Sequence, residues 1–366
     1  MKYYLIAGEA SGDIYGAQLI EEIQALDPNS KIRFWGGDLM KSKSNNLVKH
    51  YKDTSVMGFF EVLKHIFKIL RNIDYCKNDI LEFKPDRIIY IDYPGFNLRI
   101  CKWAKKKGFI NHYYISPQIW AWKENRINAI KRDVDQMHVI LPFEKTYYVN
   151  KHGLDVHYSG HPLVNYINNF KSDDYFFHKN NIDRNKPIIA LLPGSRIQEI
   201  KKVLPVFLSI VKDFNSYQFI IGGVDSINKE RYDNLIKNSN VKVIFNETYN
   251  LLANANAAIV TSGTASLEAA ILKVPQVVCY KTSLITYLIS KMLVNIKYIS
   301  LVNLILNNKV VDELVQGDLN SNSLKNSIYK ILNKDSKSKL INSYNDLINM
   351  LYKDNPSKKT AELIIK

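Results

Sequence analysis

Several stretches of this sequence place polar residues directly after an apolar run, where α/β proteins put their ligand contacts. The first is residues 7–13, AGEASGD. Gly8 and Gly12 let the chain turn tightly, and Ser11 and Asp13 can cap the helix that follows or meet a ligand's hydroxyls or phosphate. The stretch does not match GxGxxG, which counts against an ordinary dinucleotide site. In residues 90–100, YIDYPGFNLRI, an apolar strand delivers Asp92 to its end and Pro94 stops it continuing. Asp92 is placed either as a general base or as an acceptor for turn amides, and Asn97 reads as a turn or cap residue. Residues 113–127 hold Trp120 and Trp122 among polar and basic neighbours, suited to sugar or acyl contact or to the core.

Two later stretches share one design. LLPGSR puts Gly194, Ser195 and Arg196 between an apolar strand and a helix, and TSGTASLEAAI does the same with Ser262, Gly263 and Thr264. Helix-start amides and a guanidinium hold phosphate, so two such turns suggest a diphosphate. Neither ends in Gly-Lys-Ser/Thr, so neither is a P-loop. Residues 58–73 carry Phe59, Val62, Leu63, Ile66, Phe67, Ile69, Leu70 and Ile73 at helical spacing among Lys64, His65, Lys68 and Arg71. That stripe fits the interface of an anionic membrane, or a helix packed on its sheet.

The elements that carry these residues alternate. Apolar runs at 3–7, 32–35, 87–91, 112–115 and 136–141 read as strands between helices, and after a polar stretch at 165–186 the pattern restarts at 188–192, 218–221, 241–245, 257–261 and 276–280. Such alternation predicts two doubly wound parallel sheets, with the cleft between their carboxyl ends as the default ligand site. The expected division is 1–170, 171–345 and a packing helix in 346–366. At 366 residues and 46% hydrophobic content, two cores are affordable.

Cys76, Cys101 and Cys279 are too scattered for a disulfide framework, and no CxxC or Cys/His cluster marks a zinc site. A reducing compartment fits. The apolar start is cut short by Glu9 and Asp13, and no window reaches the roughly 18 apolar residues of a membrane span. The expectation is a cytoplasmic protein not integral to a membrane. The net charge of +15 favours anionic partners, or reflects a Lys- and Asn-rich composition. The basic residues are dispersed and no nucleic-acid motif is present, so nucleic acid is not expected as a partner.

Taken together, the segments GEASGDIYGAQLI, SVMGFFEVL, IDYPGFNL, YYISPQIWAW, LPFEKTYY, SGHPL, LLPGSR, TSGTASLEAAI and YISLVNLI resemble the lipid-A-disaccharide synthases, bacterial glycosyltransferases of the GT-B fold with two Rossmann-like domains. The resemblance runs in family order from Gly8 to Ile305. It implies transfer of 2,3-diacylglucosamine from its UDP derivative to lipid X, the 2,3-diacylglucosamine 1-phosphate, with inversion and release of UDP. It puts the catalytic aspartate on Asp92, an acceptor-side motif on Glu9, Ser11, Gly12 and Asp13, and donor contacts on Arg196, Ser262, Gly263, Thr264 and Asn303. Related GT-B enzymes add Glu268 as the ribose contact. The resemblance also gives residues 58–73 a membrane role, with Ile66, Phe67 and Leu70 as the contact on the inner face of the inner membrane. It needs no metal or other cofactor and admits a homodimer. Two positions depart from the family pattern: Gly95 stands where a second acid is frequent, and Val302 where proline is usual. The competing readings are another UDP-sugar enzyme of this fold, either an epimerase or the peptidoglycan-precursor transferase, and a non-catalytic binder of sugar nucleotide or lipid.

Overall fold

The computed structural model of the protein describes residues 1–54, 66–237, 239–294 and 296–366. They form two compact units, Met1–Asn165 with Leu351–Lys366, and Tyr166–Met350.

The first unit is built on a parallel sheet. Among the described residues its strands are β1 (Lys2–Ala7), β2 (Lys31–Gly36), β3 (Leu47–His50), β4 (Arg87–Ile91), β5 (Ile110–Tyr114), β6 (Gln136–Val139) and β7 (His157–Tyr158), in the order β3-β2-β1-β4-β5-β6-β7. The central strands β1 and β4 are almost wholly buried, as a parallel sheet covered on both faces requires. The order reverses between them, and Ala7 pairs with Ile91 at their carboxyl ends. The covering helices include α1 (Ala10–Leu26), α2 (Asp38–Lys43), α3 (Ile66–Phe83), α4 (Pro94–Lys106), α5 (Ile127–Asp133) and α6 (Pro142–Thr146). Helix α3 lays Ile73, Cys76 and Ile80 into the core at one-turn spacing. The C-terminal helix Pro356–Ile365 packs on α1, where Asn355 Nδ2 donates to Glu22 Oε1 at 2.7 Å.

The second unit repeats the plan with β8 (Ile188–Leu192), β9 (Gln218–Gly223), β10 (Lys242–Phe245), β11 (Ala255–Thr261), β12 (Gln276–Tyr280) and β13 (Asp312–Val315), all parallel in the order β10-β9-β8-β11-β12-β13. Its helices include α7 (Ile197–Ser209), α8 (Thr264–Ile271), α9 (Leu284–Leu293) and α10 (Leu301–Leu306). The reversal falls between β8 and β11, where Val260 pairs with Leu192.

The apolar-run pattern misses three strands for physical reasons. β3 is an edge strand with every residue only half-buried, β7 has two residues, and β13 carries Asp312 and Glu313. β5 ends one residue early because Ile115 turns to φ 65°, a rare conformation for a β-branched residue.

Candidate active site

The reversal between β1 and β4 brings the first two sequence motifs together. Asp92 and Tyr93 follow β4 in consecutive left-handed conformations, φ 46° and 50°, a state that Asp tolerates and an aromatic residue rarely adopts. The surroundings hold them there. The Asp92 N–H donates to Tyr114 O at 3.1 Å, and its carbonyl accepts from Tyr113 OH at 2.7 Å and from Asn97 Nδ2 at 2.8 Å. Asn97 is thus a buried pin inside α4 rather than a turn or cap residue; its amide also reaches Ile6 O at 3.3 Å, tying β1 to β4. A strained turn pinned from three sides at a strand end is where functional residues gather.

Tyr93 explains Gly8. Its ring lies where a Cβ on Gly8 would sit, 2.4 Å away, so the turn after β1 must be bare for the turn after β4 to close on it. Gly12 packs α1 on Ala7, whose Cβ would lie 3.2 Å from an added one. Glu9 is the N-cap residue of α1, so Ser11 and Asp13 lie within the helix rather than at its cap. Asp13 caps another helix: buried, it accepts from the backbone N–H groups of Gly37 at 2.7 Å, Leu39 at 3.0 Å and Met40 at 3.0 Å at the start of α2. Both its oxygens are engaged, which leaves Glu9 and Ser11 as the partly exposed polar side chains of the motif.

The Asp92 carboxyl is half-buried and its pKa is pushed up to about 7. Loss of hydration is the main cause, the Glu9 carboxylate adds to it, and the Tyr93 amide and the more distant Arg126 oppose it. Such a carboxyl can take a proton near neutral pH. Glu144, from LPFEKTYY, went unassigned in the sequence and proves to be the buried tie beside this region. It accepts from Ser116 Oγ at 2.8 Å, Trp120 Nε1 at 3.0 Å and the Leu141 N–H at 3.0 Å. Trp120 is therefore anchored at its polar end, whereas Trp122 is exposed, with Lys123 Nζ 4.4 Å and the Arg126 guanidinium 5.2 Å from its ring centroid. Arg126 was also missed, because nothing in its local spacing sets it apart from the many surface cations.

In the second unit the two anion-ready turns are neighbours across the β8/β11 reversal. Gly194 has φ 101°, and a Cβ there would lie 2.9 Å from Glu199 Oε2 and 3.1 Å from Thr261 Oγ1. Thr261 Oγ1 donates to Leu192 O at 3.3 Å. Arg196 precedes α7, with Nη1 3.0 Å from Glu199 Oε1. Ser262 is engaged structurally: its N–H donates to Cys279 O at 3.0 Å and its Oγ to Ile299 O at 2.7 Å. Gly263 has φ 145°, a conformation open to glycine, and Thr264 begins α8. Glu268 on α8 accepts from Tyr249 OH at 2.9 Å, and burial raises its pKa.

Asn303 stands apart from these. It is fully buried in α10, where Nδ2 donates to Val311 O at 2.9 Å and Glu313 Oε1 at 2.8 Å while Oδ1 accepts from the N–H groups of Val310 and Val311. Its side chain is used up in holding α10 to the start of β13, so any donor role would be through that placement.

Of the proposed membrane residues, the Ile66 side chain and all of residues 55–65 lie outside the described structure. Phe67 is 75% and Leu70 45% exposed. A larger apolar surface was unforeseen: α9 exposes Leu284, Ile285, Leu288, Met292 and Leu293. Among the described residues no helix is long and apolar enough to cross a membrane.

Comparison with known proteins agrees with this plan. The profile of the lipid-A-disaccharide synthetase family matches residues 3–365. The lipid-A-disaccharide synthase of Coxiella burnetii strain CbuG_Q212 is 35% identical over 365 residues, covering 98% of this chain and 96% of its own. Lipid-A-disaccharide synthase 1 of Legionella pneumophila strain Paris is 38% identical over 323 residues, 86% of this chain and 84% of its own. Among solved structures, the UDP-GlcNAc 2-epimerase of Neisseria meningitidis bound to UDP-GlcNAc superposes with a TM-score of 0.68 at 12% identity, covering 100% of this chain and 98% of that one. The Methanocaldococcus jannaschii UDP-GlcNAc 2-epimerase complex with UDP-GlcNAc and UDP gives 0.66 at 15%, covering 100% and 99%. These structures share the fold, the GT-B pairing of two parallel α/β domains. With the family profile spanning almost every residue and relatives matched nearly end to end, the chain belongs to the lipid-A-disaccharide synthase family of glycosyltransferases, which form the lipid A disaccharide.

Proposed function

We propose that the protein transfers 2,3-diacylglucosamine from UDP-2,3-diacylglucosamine to the 6-hydroxyl of 2,3-diacylglucosamine 1-phosphate, inverting the anomeric centre. The observation that carries this reading, within the family membership, is Asp92: a residue whose backbone is pinned at the carboxyl end of β4 and whose carboxyl pKa is pushed up to about 7. The acceptor oxygen forms a bond to the donor's anomeric carbon as the bond from that carbon to the UDP oxygen breaks. UDP leaves with the electron pair, and the hydroxyl proton passes to Asp92, a contribution of about 10² to 10⁴ in rate for a positioned base.

Glu9 and Ser11 lie on the acceptor side of this scheme. Arg196, with the Gly263–Thr264 start of α8, takes the charge that grows on the departing diphosphate. Glu268 holds the ribose hydroxyls. The scheme draws on no metal ion or other cofactor. That solved neighbours of the same fold hold UDP-GlcNAc supports a sugar nucleotide as donor.

Both substrates carry acyl chains, so the protein works at the inner face of the cytoplasmic membrane. Phe67 and Leu70 on α3 and the exposed stripe of α9 support this. No Asp or Glu occurs from residue 269 to 311, while Lys273, Lys281, Lys291, Lys297 and Lys309 do, a charge pattern suited to anionic lipid.

The test is UDP release by purified protein given the donor, with and without the phosphorylated acceptor, together with the anomeric coupling constant of the product by NMR. Acceptor-dependent release and a β-linked product are expected. Donor binding without release would favour a non-catalytic binder, and an α-linked product would exclude inversion.

A further inference from the structure

The loop after β5 carries a cationic platform that the scheme above does not use. Lys123 and Arg126 both lie over the ring of Trp122, and Trp122 itself is 39% exposed. Lys123 takes a left-handed conformation, φ 56°, to reach this place. The acid between them in sequence does not neutralise them. Glu124 accepts from Tyr147 OH at 3.1 Å and pairs with Lys151 Nζ at 2.6 Å.

Arg126 is half-buried, yet among the described residues its guanidinium makes no hydrogen bond or ion pair. Five donors partly withdrawn from water without an acceptor are costly unless an anion comes to them. The site is also close enough to Asp92 for the two to feel each other electrostatically without forming an ion pair. Two cations over one indole, with no hydrogen-bond or ion-pair partner among the described residues, form a receptor for a doubly charged anion.

We propose that Lys123 and Arg126, aligned on Trp122, bind the phosphate monoester of the acceptor sugar and thereby present its 6-hydroxyl to Asp92. This rests on the transferase reading above and names the residues that would select a phosphorylated acceptor. A guanidinium gives two parallel donors to phosphate oxygens, and the ammonium supplies the second charge. A phosphate-free acceptor would leave both cations unpaired and be disfavoured on that account.

The experiment measures kcat/KM for UDP release by the full-length protein with the phosphorylated acceptor and with its phosphate-free analogue, in wild type, Lys123→Gln, Arg126→Gln and Arg126→Lys. The preference for the phosphorylated acceptor should fall about tenfold or more in Arg126→Gln, mainly through KM, and be partly restored in Arg126→Lys. An unchanged preference overturns the proposal even if both rates fall, since that pattern belongs to a group acting on Asp92 or on folding. If wild type releases no UDP, the transferase reading fails separately, and the platform is then judged by calorimetric titration with glucosamine 1-phosphate. Binding to wild type that weakens by the same factor in Arg126→Gln supports the platform. Equal binding by the two proteins, or no binding to wild type, overturns it.

Discussion

Asp92 combines two properties that suit a base, a pinned backbone and a carboxyl pKa near neutrality, and both come from its neighbours. Burial and the Glu9 carboxylate raise the pKa to about 7, so the acid limb of the pH–rate profile should bend near neutrality; Glu9→Gln, which removes a repulsive charge, should move it to lower pH. The same shift bears on stability. A carboxyl whose folded pKa lies above its unfolded value of 3.8 favours folding while protonated, and that contribution fades as pH rises through about 7. Asp92→Asn should therefore raise the melting temperature relative to wild type at pH 8 and lose that advantage near pH 4, as differential scanning calorimetry can measure. Gly8 is the complementary case. With Tyr93 ring carbons 2.4 Å from the added Cβ, Gly8→Ala should cost about 1–3 kcal/mol in denaturant titration. Adding Tyr93→Ala should remove most of the clash; an equal loss in the double variant would show that the ring is not its source.

At the level of elements, the most informative residues are those that hold loops in place. Asp13 gathers three backbone N–H groups at the start of α2, and Asn303 makes four side-chain hydrogen bonds around α10. Asn303→Ala leaves buried partners unsatisfied, so amide exchange should quicken in residues 299–313 at a cost of about 1–3 kcal/mol. Such roles are not legible in a sequence, because each depends on partners far along the chain or around a turn. What was legible followed local pattern. The apolar runs gave both central strand sets and placed Asp92, Arg196 and Gly263 at strand ends. The edge strands β3, β7 and β13 escaped because they are half-buried, short or charged. Helix α9 is too short to span a bilayer, and its outward apolar stripe becomes visible only in the fold. On that helix Leu288 and Met292 are 59% and 86% exposed, so changing both to Ser should spare the melting temperature while weakening co-sedimentation with anionic liposomes. Undiminished sedimentation would remove α9 from the membrane surface.

For the molecule as a whole, fold and family answer different questions. Epimerases match the architecture at 12–15% identity, and an epimerase was one of the rival readings; the family profile across residues 3–365 separates the two. Acid sensitivity belongs to this scale as well. His112 and His161 are buried in the first unit with pKa values lowered to about 4 and about 3, chiefly by desolvation, and His138 stacks on His112 with its pKa lowered too. Because the folded values lie below the unfolded one of about 6.5, these groups leave stability intact above that pH and remove it as pH falls through 6 toward 4. Asp92 works in the opposite direction with a single group. The melting temperature should fall between pH 7 and 5, and His138→Phe should flatten that slope. The central claim, however, is the acceptor-dependent transfer with Asp92 as its base, and it is tested most directly by UDP release from wild type and Asp92→Asn in the presence of both substrates. The account predicts release that requires acceptor and falls about 10² to 10⁴-fold in a variant that still folds and binds UDP; release unchanged in Asp92→Asn would contradict it.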